Sequence, residues 1–168
     1  VLVYGGCRVL GEFCIVEALR RCELFTELKD EELELIAPLC RERVYEAGEI
    51  ICAEQDGAEE LYILQEGRIA LYMRLRSTME PDGEVSVEEA EPGRVFGWTA
   101  LVKQERFTAT VRALDKTHVL AIRGDDLKAL FDQHPHIGFV VMKRLADVTS
   151  YRLRYTRGQL EQRASAGV

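Results

Sequence analysis

The spacing of apolar residues changes period twice along this chain, and that limits the fold more than any other feature. From Val44 to Ile122 apolar residues tend to alternate with polar ones; on either side they recur every three or four residues. Ile69, Leu71, Met73 and Leu75 alternate with Ala70, Tyr72, Arg74 and Arg76, the pattern of a half-buried strand. Residues 61–64 form a second strand, and Gln65-Glu66-Gly67 is the tight turn joining the two. Further strands are expected at 49–53, 85–90, 108–114 and 117–122, punctuated by Gly48, Gly57, Gly67, Gly83, Gly93 and Asp115. Residues 77–82 read as a polar loop. Short strands with turns this frequent predict an antiparallel barrel or sandwich.

The flanks are helical. Residues 12–22 and 30–39 carry helical spacing, with Thr26 as the expected cap between them and Pro38 and the run Arg41 to Arg43 ending the signal. Gly124 opens a helix that runs to about Gln133. His134-Pro135 breaks it, and Pro135 suits the first turn of a new, long helix. Along that helix Ile137, Val141, Leu145, Val148, Tyr151 and Tyr155 share one face, while Leu153 and Leu160 lie on a second line. Two apolar lines on one helix predict packing on its own domain and on a partner subunit. A homodimer is therefore expected through Val141, Leu145, Val148, Tyr151 and Tyr155.

Charge narrows the function. Between Lys143 and Arg163 stand six basic and two acidic residues, so the chain's −7 divides into +4 there and −11 elsewhere. An acidic balance argues against a nucleic-acid binder, which shows a basic face. No stretch approaches the roughly 18 apolar residues of a membrane span. Arg8, Glu12 and Glu17 interrupt the apolar start, so no signal peptide is read. Cys7, Cys14, Cys22, Cys40 and Cys52 form no CxxC pair and lie too far apart for an iron–sulfur run. Reduced, buried thiols and a cytoplasmic location are expected. His134 and His136 flank Pro135 with no third metal ligand nearby, which reads as a structural turn. No phosphate loop, dinucleotide fingerprint, zinc spacing or nucleophile elbow is present, so an enzyme is not expected.

Four motifs then stand in order: Tyr45-x-x-Gly48-Glu49-Ile50-Ile51; Glu59-Glu60-Leu61-Tyr62-Ile63-Leu64-x-Glu66-Gly67-Arg68-Ile69; Pro92-Gly93-x-Val95-Phe96-Gly97; and Thr108-Ala109-Thr110-Val111-Arg112-Ala113. Over roughly Leu24 to Arg157 the chain resembles the cyclic nucleotide-binding domain, the sensory domain of the catabolite activator protein (Crp-Fnr) superfamily. The resemblance implies an α+β, mainly β fold: a double-stranded β-helix, or jelly-roll-like antiparallel barrel, with N-terminal helices and two C-terminal helices, the last one long. The expected organisation is a helical extension at 1–23, the β-roll with flanking helices at 24–134, a dimerisation or lid helix at 135–162 and a tail at 163–168. The superfamily's activators carry a helix-turn-helix domain after the long helix. The residues beyond Glu161 cannot hold one, so direct DNA binding by these 168 residues is not expected.

The resemblance also places a ligand site. A short helix at Gly97, Trp98, Thr99, Ala100 and Leu101, following Phe96, would point backbone amides at a phosphate. Thr108 and Ala109 open the strand beside it, and Arg152 and Leu153 fall where the last helix reaches the base. Two departures matter. The family's Glu for the ribose hydroxyl is Trp98 here, and its phosphate-pairing Arg, nine residues on, is Phe107. Arg106 lies one residue away, but neighbouring strand residues face opposite sides. Arg152 is read either as a replacement charge or, in preference, as a solvated residue near the dimer seam. Three readings stay open. In one, the pocket is re-specified for another small planar or apolar ligand, as in superfamily members that bind haem, 2-oxoglutarate or aromatic compounds. In the second, it is plugged by Trp98, leaving an interaction or scaffold dimer. In the third, a cyclic nucleotide binds in a modified pose. The first, a small-molecule effector acting on a regulatory module, is the leading expectation.

Overall fold

The computed structural model describes residues 2–4, 7–10, 13–74, 84–102 and 106–166. The chain opens with β1 (Leu2–Tyr4), β2 (Cys7–Leu10) and β3 (Phe13–Cys14), a three-stranded antiparallel sheet. This corrects the expected helical extension: helix α1 (Ile15–Arg21) begins three residues later than the apolar spacing suggested. The preceding residues include Val3, Tyr4 and Val9, types that suit a strand better than a helix. Cys14 is disulfide-bonded, which corrects the expectation of reduced thiols and withdraws one support for a cytoplasmic location. Cys22, Cys40 and Cys52 are free and buried. Burial pushes the Cys22 and Cys52 thiols up to about 12.

Helix α2 (Asp30–Ile36) runs into a 3-10 turn at Ala37–Leu39, where Pro38 is tolerated. Its N-terminus is at Lys29 rather than Thr26: Glu32 reaches back to accept the Lys29 backbone N–H at 2.9 Å. The strands β4 (Cys40–Tyr45), β5 (Ile50–Cys52), β6 (Glu60–Glu66), β7 (Ile69–Arg74), β8 (Glu84–Ala90), β9 (Val95–Phe96), β10 (Thr110–Ala113) and β11 (Thr117–Arg123) follow. They form two four-stranded antiparallel sheets, ordered β5-β10-β7-β8 and β4-β11-β6-β9. The jelly-roll expectation holds. The expected 77–82 loop lies outside the described residues.

The central strands of the second sheet, β6 and β11, are buried on both faces, and the two-residue strand period divides their side chains between two cores. Leu61, Ile63, Leu120 and Ile122 face the helices, where they meet Phe25, Leu33, Ile36 and Leu127. Tyr62, Leu64, Val119 and Ala121 face the barrel interior with Ile69, Phe96, Phe107 and Val111.

Helix α3 (Gly124–Gln133) and helix α4 (Pro135–Ala166, 32 residues) close the chain. A Cβ on Gly124 would stand 2.3 Å from the Ala100 carbonyl oxygen, so only glycine lets α3 start this close to the site. The expected tail from residue 163 is helical as far as Ala166. Val141, Leu145 and Val148 of the expected dimer face are buried against their own domain, with Ile137 and Val140. The helical period turns this stripe toward the core and leaves Tyr151 and Tyr155 exposed. A separate line, Phe139 at 71 %, Met142 at 37 % and Leu153 at 72 % exposure, faces outward. No helix among the described residues is long and apolar enough to cross a membrane.

Candidate functional site

The site sits where β9 ends. Gly97 takes φ +71°, a left-handed conformation that reverses the chain into the 3-10 turn Trp98–Leu101. That turn is shorter and tighter than a phosphate-cradling helix: the Ala100 N–H already donates to the Gly97 carbonyl at 3.1 Å. Ala100 and Leu101 are buried beneath it, Leu101 within the helix-side core. Thr99 is also buried, and its Oγ1 has no hydrogen-bond partner among the described residues.

Phe107 fills the place opposite. It is buried in the barrel core, its ring 6.4 Å from Tyr62, which stacks on Phe96 at 5.1 Å. A backbone ladder holds it there. Phe107 N–H donates to Asp56 O at 2.9 Å, and Gln55 N–H donates to Phe107 O at 3.0 Å. The Tyr62 hydroxyl donates to Glu60 at 3.1 Å, and burial together with Glu60 pushes the phenol well above its ordinary range.

Between these rings the cavity is about 30 Å³, lined by Phe96, Gly97, Trp98, Thr99, Phe107, Thr108 and Ala109, with parts of β5, β7 and β10. That is room for two or three waters at most, at roughly 10–15 Å³ for each. Ligand pockets run from roughly 300 to 1,000 Å³.

The structure separates the remaining expected residues. Arg106 is exposed, and its Nη1 donates to the Gln55 carbonyl at 2.6 Å, outside the cavity. Leu153 is exposed and does not line the cavity. Arg152 is the main correction. It is not solvated: only 8 % remains exposed. Its guanidinium lies 4.5 Å above the Trp98 ring, donates from Nη1 to the Val95 carbonyl at 2.9 Å and meets Glu23 at 2.5 Å. Burial pulls Arg152 below its ordinary basicity, and Glu23 pulls it back. Glu23 was not expected. Its signal in the sequence is an acid set between Cys22 and Leu24 in an apolar run. Thr110, also missed, is buried and accepts the Glu54 backbone N–H at 3.0 Å, tying β10 to the loop after β5. Among the described residues no group of His, Cys, Asp and Glu is arranged to hold a metal ion.

The family model for the cyclic nucleotide-binding domain matches residues 42–134, more than half of the chain. The chain belongs to the cyclic nucleotide-binding domain family. That family is one of regulatory and sensory domains. The cyclic AMP receptor protein of Thermus thermophilus is 28% identical over 78% of this chain and 57% of its own length. The N-terminal domain of a transcriptional regulator from Streptomyces coelicolor superposes with a TM-score of 0.67 at 27% identity, covering 83% of this chain and 94% of that one. The regulatory domain of Toxoplasma gondii PKA, solved with cAMP, superposes at 0.59 with 27% identity, covering 68% of this chain and 42% of that one. This cyclic nucleotide-binding-type chain spans about a third to somewhat over half the length of the first curated relatives it matches.

Proposed function

We propose that this chain is a regulatory module of the cyclic nucleotide-binding type whose nucleotide site is filled by its own side chains. It serves as an interaction domain rather than as a receptor for cyclic AMP or cyclic GMP. One observation carries the reading: the cavity lined by Trp98 and Phe107, the residues at the positions where the resemblance places Glu and Arg, is about 30 Å³. Losing a guanidinium–phosphate contact in a partly buried site costs about 2–5 kcal/mol. Losing a carboxylate–hydroxyl hydrogen bond costs about 1.5–3 kcal/mol. At about 1.4 kcal/mol per tenfold, the two together remove several powers of ten in affinity. Arg152 does not restore the charge, because its guanidinium is engaged by Glu23 and the Val95 carbonyl. A cavity this small also weighs against a re-specified pocket for a planar ligand.

Calorimetric titration with cyclic AMP and cyclic GMP tests the reading, with emission from Trp98, the only tryptophan, as a second signal. No heat and no emission change are expected. Micromolar binding of either nucleotide would overturn the proposal.

Self-association is a second part of the reading, and a different face of α4 supports it. Phe139, Met142 and Leu153 step along the helix on a side its own domain leaves bare. Two copies joined along this line would cover it.

A further inference from the structure

Glu23 sits two residues past the end of α1 and joins three parts of the molecule. Its carboxylate Oε1 accepts from the Val95 backbone N–H at 2.8 Å and from Arg152 Nη2 at 2.5 Å. Oε2 faces Arg94 Nη1 at 3.4 Å, and Arg94 is paired in turn with Glu88. The Glu23 backbone N–H donates to Gly93 O at 3.1 Å. Its carbonyl accepts from Arg144 Nε at 3.2 Å and Nη2 at 3.1 Å. One residue therefore binds two arginines of α4 on one side and the chain entering β9 on the other.

The contacts close a ring. Val95 donates its N–H to Glu23 and offers its carbonyl to Arg152, while Arg152 and Glu23 pair directly. Both charged side chains are largely out of water, at 9% and 18% exposure, so each is committed to the other. Arg152 is also the last buried residue of α4: every later residue of the helix whose side chain is described is exposed or half-buried. The anchoring of the long helix ends at this ring.

We propose that Glu23, Val95 and Arg152 form a latch that holds α4 against the barrel and over Trp98 without any ligand, and that α1 is the lever that releases it. Displacing α1 carries Glu23 with it and leaves a guanidinium buried without its carboxylate, so α4 must lift to rehydrate Arg152. The input then comes from the N-terminal side of the domain rather than from the pocket. This inference does not rest on whether the pocket takes a nucleotide.

The test is amide hydrogen exchange on the full chain, with Trp98 emission as a second readout. Glu23→Gln and Arg152→Lys are each expected to speed exchange at least tenfold in α4 around Arg152, to leave β6 and β11 unchanged, and to shift Trp98 emission as the guanidinium leaves the ring. The double variant is expected to go no further than either single one. Ile15→Val, a mild loosening of α1, should speed the same α4 amides in the wild type but not in the E23Q background. Exchange within twofold of wild type in E23Q overturns the latch, as does a speeding shared equally by β11 or additivity of the two single variants. An Ile15→Val effect that persists in E23Q overturns the lever.

Discussion

At Gly97 a Cβ would stand 2.8 Å from the Glu60 carbonyl oxygen and 3.2 Å from the Phe107 ring, on a backbone at φ +71°. Gly97→Ala is therefore expected to cost about 1–3 kcal/mol in urea unfolding, from left-handed strain plus overlap with backbone that cannot yield. The two replaced residues allow the opposite experiment. Trp98→Glu with Phe107→Arg removes both rings and reinstates the family's carboxylate and guanidinium. The pair is expected to bind cyclic AMP or cyclic GMP at least tenfold more tightly than the native chain, read by calorimetry. These two positions were legible in the sequence because intact motifs flank them: Val95-Phe96-Gly97 before and Thr108-Ala109-Thr110-Val111 after. Arg152 was named from the resemblance, but its burial and pairing were not legible. Its partner Glu23 lies 129 residues away, and no local pattern connects them.

Helix α4 carries two apolar lines, one buried and one exposed. Leu145 belongs to the buried one, so Leu145→Ala is expected to cost about 2–5 kcal/mol of stability through the cavity it leaves. Leu153, at 72 % exposure, belongs to the outward line. Leu153→Asp should leave the melting of the isolated domain within about 0.5 kcal/mol of wild type, as exposed substitutions do, while abolishing any dimer seen by sedimentation. A dimer that survives Leu153→Asp and Phe139→Asp would contradict the assignment. The sequence showed two apolar lines, but three of the residues it placed at a dimer seam, Val141, Leu145 and Val148, are buried in their own domain. Spacing identifies residues that share a face; it does not say which face meets the barrel. A similar limit applies at the other end of the chain, where helical spacing at 12–22 was read as one helix and residues 13–14 are strand, set by pairing with β2.

Across the whole domain, burial leaves a titration signature. Cys22 and Cys52 are raised from 9.0 to about 12, and Tyr62 is raised too, with burial as the first cause in each case. These groups are held neutral in the fold but ionise at ordinary values once the chain unfolds. Their contribution to stability is complete below pH 9 or so and drains away as pH rises toward about 12. Thermal melts are expected to fall steadily above about pH 9, and Cys52→Ala should flatten that slope. A profile level to about pH 11 would contradict it. At this scale the β-roll, the two C-terminal helices and the family follow from the sequence alone. All of these are written in local period and in contiguous motifs. The tertiary structure alone decided how full the pocket is, which side of α4 is buried and where Arg152 finds its charge. Those outcomes depend on residues far apart in the chain, brought together only when the two cores close.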